Sequence, residues 1–578
     1  MTPETSFDRR RLLAFLASLP WVGSYASAAT AASESALDRG PVIDAHCHLF
    51  NASDLPTVRF LKRVILQKYP KEAVSVLDIG DPDALDGLLS LATWILGRAK
   101  APTAQSEIRV LEEQLRPKGF AAQERESAGD IQDAVAAYYL DQTGPVAVGG
   151  PERTRGDGLV LGALLSAAGQ KRGVAVSGAP PTRSTAKSTA KKAYDSKTDI
   201  GTYLRWFSLI SRYRYQLADQ LADDFERQGF KPKLLSPALV DYDLWLGEEV
   251  RRSSLTDQVE VMDRVSQRAE GPAVHGYVAY DPLRQVYWDQ PKLREHARFS
   301  SLELVQHAVK DCGFLGVKLY PPMGFRPTGN GLQPQGYPDQ VVADLGTVAV
   351  GAELDRALSG LYDLCTRLDI PILAHASHGN GAFADAADRA DPAYWIAVFD
   401  RWPKLRVCLA HFGGFSAPSA AAPAGAVSPE NSWEWTLGRY VAANPQSRVY
   451  ADISYLAEVF AKPEARAKTA ANIRAFVKAF DPKVEHLVFG SDWIMLGLQG
   501  GYPQYAGLVH DFFRLDCQFG ADQMRRLFHG NAARFLGLER GSAGLKRMAF
   551  YYARNELPAL RLRDLASAAS STRKSTGG

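Results

Sequence analysis

The sequence predicts an α/β protein built as a (β/α)8 barrel of the TIM type, with a long helical insertion after the first strand. Three observations carry that prediction. Short apolar, β-rich runs alternate with helical patterns from residue 231 onward, which implies parallel pairing through right-handed crossovers. Seven such runs and an N-terminal one at Val42–His48 make eight. Several runs end on a side chain with metal or acid–base chemistry, and an α/β barrel carries its active site at the C-terminal ends of its strands.

Along the chain, the first feature is separate from the fold. Ser6-Phe-Asp-Arg-Arg-Arg-Leu-Leu13 and the uncharged stretch to about Ala32 have the order of a twin-arginine export signal, with Ala26-Ser-Ala28 as the cleavage site. Residues 1–28 are therefore expected to be removed on export, with the twin-arginine export machinery as a partner. The mature protein is expected in the periplasm of a bacterium or secreted, with no membrane anchor. Pro20 and the many small residues of the stretch argue against a retained span.

The barrel is expected to occupy 41–55 and 231–540. Its strands are read at Val42–His48, Pro237–Asp241, Val274–Asp281, Phe314–Tyr320, Ile370–Ala376, Leu405–His411, Arg448–Ser454 and His486–Asp492, with helices such as Glu353–Leu368 and Ala470–Phe480 between the later ones. Residues 56–229 form the insertion. Ile108, Leu111 and Leu115 share a helical face, as do Leu217, Leu221 and Phe225, and Gly229 is placed to cap the last helix. Within the insertion, 177–197 is rich in Ser, Thr, Ala and Lys and reads as a flexible linker. An insertion leaving the C-terminal end of a strand overhangs the site, as a cap or as the contact surface of a homo-oligomer. Residues 541–578 read as a helix followed by a disordered tail, the basic stretch from Arg561 onward being taken as solvated.

Composition narrows the function. A hydrophobic fraction of 46% and a charged fraction of 23% belong to an ordinary globular protein with ample core. A formal charge of +3 over 578 residues gives no basis for a nucleic-acid partner. Five scattered cysteines make no disulfide framework, and Cys47 is expected to face away from its neighbouring histidines.

The chemistry starts at Asp44-Ala-His-Cys-His48. Residues two apart on a strand share a face, so His46 and His48 project together as two ligands of one ion must. Four later segments run apolar and then stop on a polar group: Gly316-Val-Lys318, Ile372-Leu-Ala-His375, Val407-Cys-Leu-Ala-His411 and Val488-Phe-Gly-Ser-Asp492. Two further residues follow strand ends, His378 and Arg326, and are read as substrate contacts; a small molecule is the expected partner.

Together with Gly316-Val-Lys-Leu-Tyr320, Ala410-His-Phe-Gly413, Phe489-Gly-Ser-Asp-Trp493 and Gly530-Asn-Ala-Ala-Arg-Phe-Leu-Gly537, these segments resemble the amidohydrolase superfamily. They are most similar to its amidohydrolase-related branch, which includes aminocarboxymuconate-semialdehyde decarboxylase-like enzymes. The resemblance covers strand one and about 231–538. It implies a divalent metal, zinc by preference, held by His46, His48, His375 and Asp492; a two-metal site would add Lys318 and His411. It implies Asp492 and His411 as the proton-transfer residues and Lys318 as a substrate contact in a one-metal site. The implied activity is hydrolysis of a small amide, lactone or ester by a metal-activated water, the alternative being decarboxylation of an aromatic or unsaturated acid.

Overall fold

The computed structural model describes residues 38–54, 101–115, 206, 208–247, 252–332, 336–378, 381–383, 386–415, 417, 419–420, 429–499 and 501–570. The signal read at 1–28 and the linker read at 177–197 lie outside these. The described strands are β1 (Gly40–Cys47), β2 (Phe230–Pro237), β3 (Tyr277–Ala279), β4 (Gly316–Leu319), β5 (Ile372–His375), β6 (Val407–Ala410), β7 (Val449–Asp452) and β8 (Leu487–Val488). All pair in parallel and in sequence order, as a two-stranded sheet β1–β2 and a six-stranded sheet β3 to β8.

Strand pairing is thus α/β and parallel, but the expected eight strands do not form one continuous ladder. Single hydrogen bonds cross both seams. At one, His275 N donates to Leu235 O (3.1 Å) and Leu239 N to Tyr277 O (3.0 Å); at the other, Ala45 N donates to Phe489 O (3.1 Å) and Asp492 N to His46 O (2.8 Å). Short strands are the physical reason: β3 has three residues and β8 two, too few to sustain a ladder on both edges. Gly490 allows the second seam to be close. A Cβ there would stand 2.8 Å from that of His46, so β8 can approach β1 only because this position has no side chain.

One expected strand moves. The second was read at Pro237–Asp241, whereas β2 begins at Phe230, paired with Gly40, and ends at Pro237. Lys231, Pro232 and Lys233 interrupt the apolar signal there, and β2 forms because β1 supplies its partner groups. Serine and aspartate start the crossover helices: Ser254, Asp281, Ser300 and Ser432 each accept from a backbone N–H of the first turn. The strands are buried on both faces, as parallel strands between a barrel interior and a helix layer must be. Val317, Ile372, Val407 and Val449 pack with helix residues such as Leu361 and Ile473. Leu373, Cys408, Tyr450 and Val488 occupy the other face, over Phe535 and Tyr551. Cys47 packs in the first of these clusters, away from that other face.

The described residues between β1 and β2 include helices at Ala104–Leu115 and Arg214–Arg227, and Gly229 follows the second at φ 82°. They are fixed to the strand-one segment by a buried cation. Arg214 donates to Glu107 Oε2 at 2.7 Å and, through Nε, to Asp54 Oδ2 at 2.9 Å. The C-terminal segment differs from expectation. A second helix covers Ala559–Ser570, with Leu565 buried and Arg561 donating to the carbonyls of Arg268, Ala269 and Gly271. Its apolar Leu565 and these carbonyl acceptors hold a stretch whose composition alone reads as solvated. No helix among the described residues is long and apolar enough to cross a membrane.

Candidate metal centre

Four histidines run side by side across the C-terminal strand ends. Ring centroids are 5.3 Å apart for His48 and His46, 5.2 Å for His46 and His411, and 4.5 Å for His411 and His375. His46 and His48 come from β1 and the residue after it, His375 ends β5, and His411 follows β6. Asp492 lies four positions past β8. His411 and Asp492 both sit in the left-handed backbone region, at φ 68° and 57°, a conformation that non-glycine residues hold only where the surroundings enforce it.

The outer nitrogen of each β1 histidine is committed to a fixed acceptor. His46 Nδ1 donates to Asp452 Oδ2 at 3.0 Å, and His48 Nδ1 to the Ala238 carbonyl at 2.8 Å. Such partners set the tautomer, leaving a lone pair on each Nε2. Those two nitrogens turn toward one carboxylate oxygen, Asp492 Oδ1, at 3.7 Å from His46 Nε2 and 3.2 Å from His48 Nε2. Two ligands roughly 2.0–2.1 Å from a tetrahedral ion stand about 3.3 Å apart, so this donor set fits a divalent metal. Lys318 Nζ is 3.0 Å from His46 Nε2 on the same side.

The other two histidines face each other. His411 Nδ1 is 3.0 Å from Ser454 Oγ, and its Nε2 is 3.1 Å from His375 Nδ1. The far nitrogen of His375 meets Ser377 Oγ at 3.0 Å, and its ring stacks on Tyr320 with centroids 4.3 Å apart. Of the expected ligands the structure therefore brings His46, His48 and Asp492 into one group and places His375 beside His411 instead.

Burial governs the electrostatics. It lowers the His46 pKa to about 3, with the Lys318 charge adding to the effect and Asp452 opposing it, so the ring is neutral and able to bind an ion. Burial likewise lowers Lys318 to about 8 and keeps His411 below its ordinary value. For Asp492 and Asp452 burial works upward, but the neighbouring histidines outweigh it and both carboxyls fall below the usual range. Asp44 is raised to about 7 by its complete burial, although it accepts from Ser491 Oγ at 2.5 Å and His46 N at 3.2 Å.

The two other expected substrate contacts each have a protein neighbour. His378 Nε2 pairs with Asp388 at 2.9 Å on an exposed surface. The Arg326 guanidinium lies 5.0 Å over the Tyr394 ring. Asp452 was not singled out from the sequence. Its signal was the carboxylate ending Val449-Tyr-Ala-Asp452, the same apolar-then-polar pattern that marks Lys318, His375 and Asp492.

Residues 300–538 match the family model described as Amidohydrolase, a span that holds Lys318, His375, His411, Asp452 and Asp492. Over these residues the chain is of the amidohydrolase type, a family of enzymes. Amidohydrolases are metal-dependent, in keeping with the donor set just described. The matched span begins after β1, so the His46/His48 pair lies outside it and meets the matched residues only through the fold. No curated protein matches the chain. Among solved structures, an uncharacterised TIM-barrel protein from Bordetella bronchiseptica is similar at 15% identity and TM-score 0.34, covering 56% of this chain and 82% of that one. An amidohydrolase from Burkholderia multivorans with bound zinc is similar at 18% identity and TM-score 0.32, covering 57% of this chain and 91% of that one. The family assignment rests on the sequence match.

Proposed function

We propose that this amidohydrolase is a metal-dependent hydrolase of a small amide, lactone or ester, with His46, His48 and Asp492 holding one divalent ion. Neutral imidazoles with a carboxylate suit zinc. The observation that carries the reading is the pair of committed outer nitrogens, which leaves both inner lone pairs turned toward the Asp492 carboxylate. When bound, the ion supplies a Lewis acid that makes water nucleophilic near neutral pH.

The residues then divide the remaining work. Asp492, buried and with its carboxyl held below the usual range by the neighbouring histidines, would serve as the proton acceptor for such a water. His411, with Nδ1 held by Ser454, offers Nε2 for proton transfer to the departing group, and His375 holds that nitrogen in place. Lys318 provides a buried donor for a substrate carboxylate or carbonyl. The strands enclosing these groups are read as one closed (β/α)8 barrel, with the hydrogen bonds across both seams in support. We also read residues 1–28 as an export signal; a mature periplasmic protein beginning at Met1 would refute that. We further read residues 56–229 as the contact surface of a homo-oligomer, which solution mass checks.

The test of the reaction is a panel of lactones, esters, amides and aromatic acids given to the zinc-loaded protein. Ring opening or acid release supports the hydrolase. Carbon dioxide release without hydrolysis supports the decarboxylase instead. A second reading, with two ions, is favoured by one observation: His375 Nδ1 and His411 Nε2 face each other at 3.1 Å, a separation that a second ion also fits. Metal per chain, near one or near two, decides between them.

A further inference from the structure

We propose that Asp452 is the positioning residue that sets the tautomer of His46 and fixes its ring to the His411 backbone. The inference rests on the reading of His46 Nε2 as a metal-facing nitrogen.

The geometry of one carboxylate carries it. Oδ2 accepts from His46 Nδ1 at 3.0 Å. Oδ1 accepts from the backbone N–H of His411 at 3.1 Å and of Ser454 at 3.0 Å, and from the Ser454 hydroxyl. One side chain on β7 therefore joins β1, the end of β6 and its own strand end. Asp452 could itself be taken for a ligand, since it groups with His46 and His411 within reach of one ion. Two facts argue otherwise. It lies against Nδ1, across the imidazole from the Nε2 that faces Lys318 and Asp492. Its Oδ1 already accepts three hydrogen bonds and its Oδ2 that of His46.

The role predicts an asymmetric response to substitution. In Asp452→Asn the amide oxygen can still accept from the His411 and Ser454 backbone, so the amino group is turned to His46 Nδ1. Facing that amino group, with the Ser454 hydroxyl 2.9 Å away as its other neighbour, Nδ1 is expected to accept, and the ring proton to move to Nε2, where it blocks the lone pair needed for an ion. Asp452→Glu keeps a carboxylate acceptor.

The experiment is zinc affinity by chelator competition for the full chain, with the visible absorption spectrum of the cobalt-loaded form and the melting temperature of the metal-free form. Asp452→Asn is expected to weaken zinc binding about 10–100-fold, and Asp452→Glu to restore most of it. Wild-type zinc affinity in Asp452→Asn, with only the melting temperature lowered, would overturn the proposal and leave Asp452 a structural residue. If Asp452→Asn does not fold, Asp452→Glu carries the test: a longer carboxylate displaces the His46 ring, so the cobalt spectrum should shift at unchanged stoichiometry, and an unshifted spectrum overturns the role. Absence of zinc from the wild type refutes the metal reading itself, a different result from unaltered binding in the variant.

Discussion

The two halves of the histidine row use the same residue type in opposite ways. At the β1–β8 seam, His46 and His48 place their outer nitrogens on Asp452 and the Ala238 carbonyl and keep their inner ones for a shared partner. At the ends of β5 and β6, His375 and His411 engage each other and are bounded by Ser377 and Ser454. The contrast teaches that a histidine becomes a ligand through what its other nitrogen is doing. Convergent lone pairs hold an ion, whereas a nitrogen-to-nitrogen contact holds a proton.

The sharpest way to break this contrast is to remove one member of each half. His48→Ala is expected to abolish zinc retention and activity together, whereas His375→Ala should keep the ion. Zinc content after dialysis reads both. Loss of zinc from His375→Ala would mean that its ring turns into the site as a further ligand, and the division between the halves would fail.

His411→Ala comes next. A proton-transfer residue contributes about 10²–10⁴-fold to rate, so turnover should fall by that factor with zinc retained. A drop in stoichiometry from two toward one would favour the two-ion reading.

Gly490→Ala probes the seam. The added Cβ meets the His46 Cβ at 2.8 Å and its backbone nitrogen at 3.3 Å, so the strands must part. A cost of about 1–3 kcal/mol is expected, seen as a lower denaturation midpoint, with weakened zinc binding because His46 moves. Unchanged zinc affinity would show that the ring position does not depend on the close approach.

The same division explains what the sequence could and could not reveal. The ends of β4 to β8 were legible because an apolar run terminating on Lys318, His375 or Asp492 is a local pattern. β2 was misplaced because Lys231, Pro232 and Lys233 obscure its pattern, and its pairing with β1 is a contact across the whole insertion. Asp452 ends its strand like the others, but its role depends on His46, 406 positions away. The engagement of His378 with Asp388 and of Arg326 with Tyr394 is likewise a matter of side-chain direction, which strand spacing does not encode.

The smallest expected effect tests the β5 side alone. Tyr320 stacks on His375 at 4.3 Å with an interplanar angle of 27°, and also meets Tyr242 edge-on at 5.3 Å. Tyr320→Leu keeps apolar bulk but removes the ring, so about 0.5–1.5 kcal/mol of stability should be lost. Since His375 stands outside the group formed by His46, His48 and Asp492, zinc affinity should stay at the wild-type value. The rate should fall modestly, because His375 holds the Nε2 of His411 and a looser ring lets that nitrogen drift. Chelator competition beside a denaturation curve separates the two effects. Zinc affinity that falls with stability would make Tyr320 part of the ion's support and erase the difference between the two halves of the row.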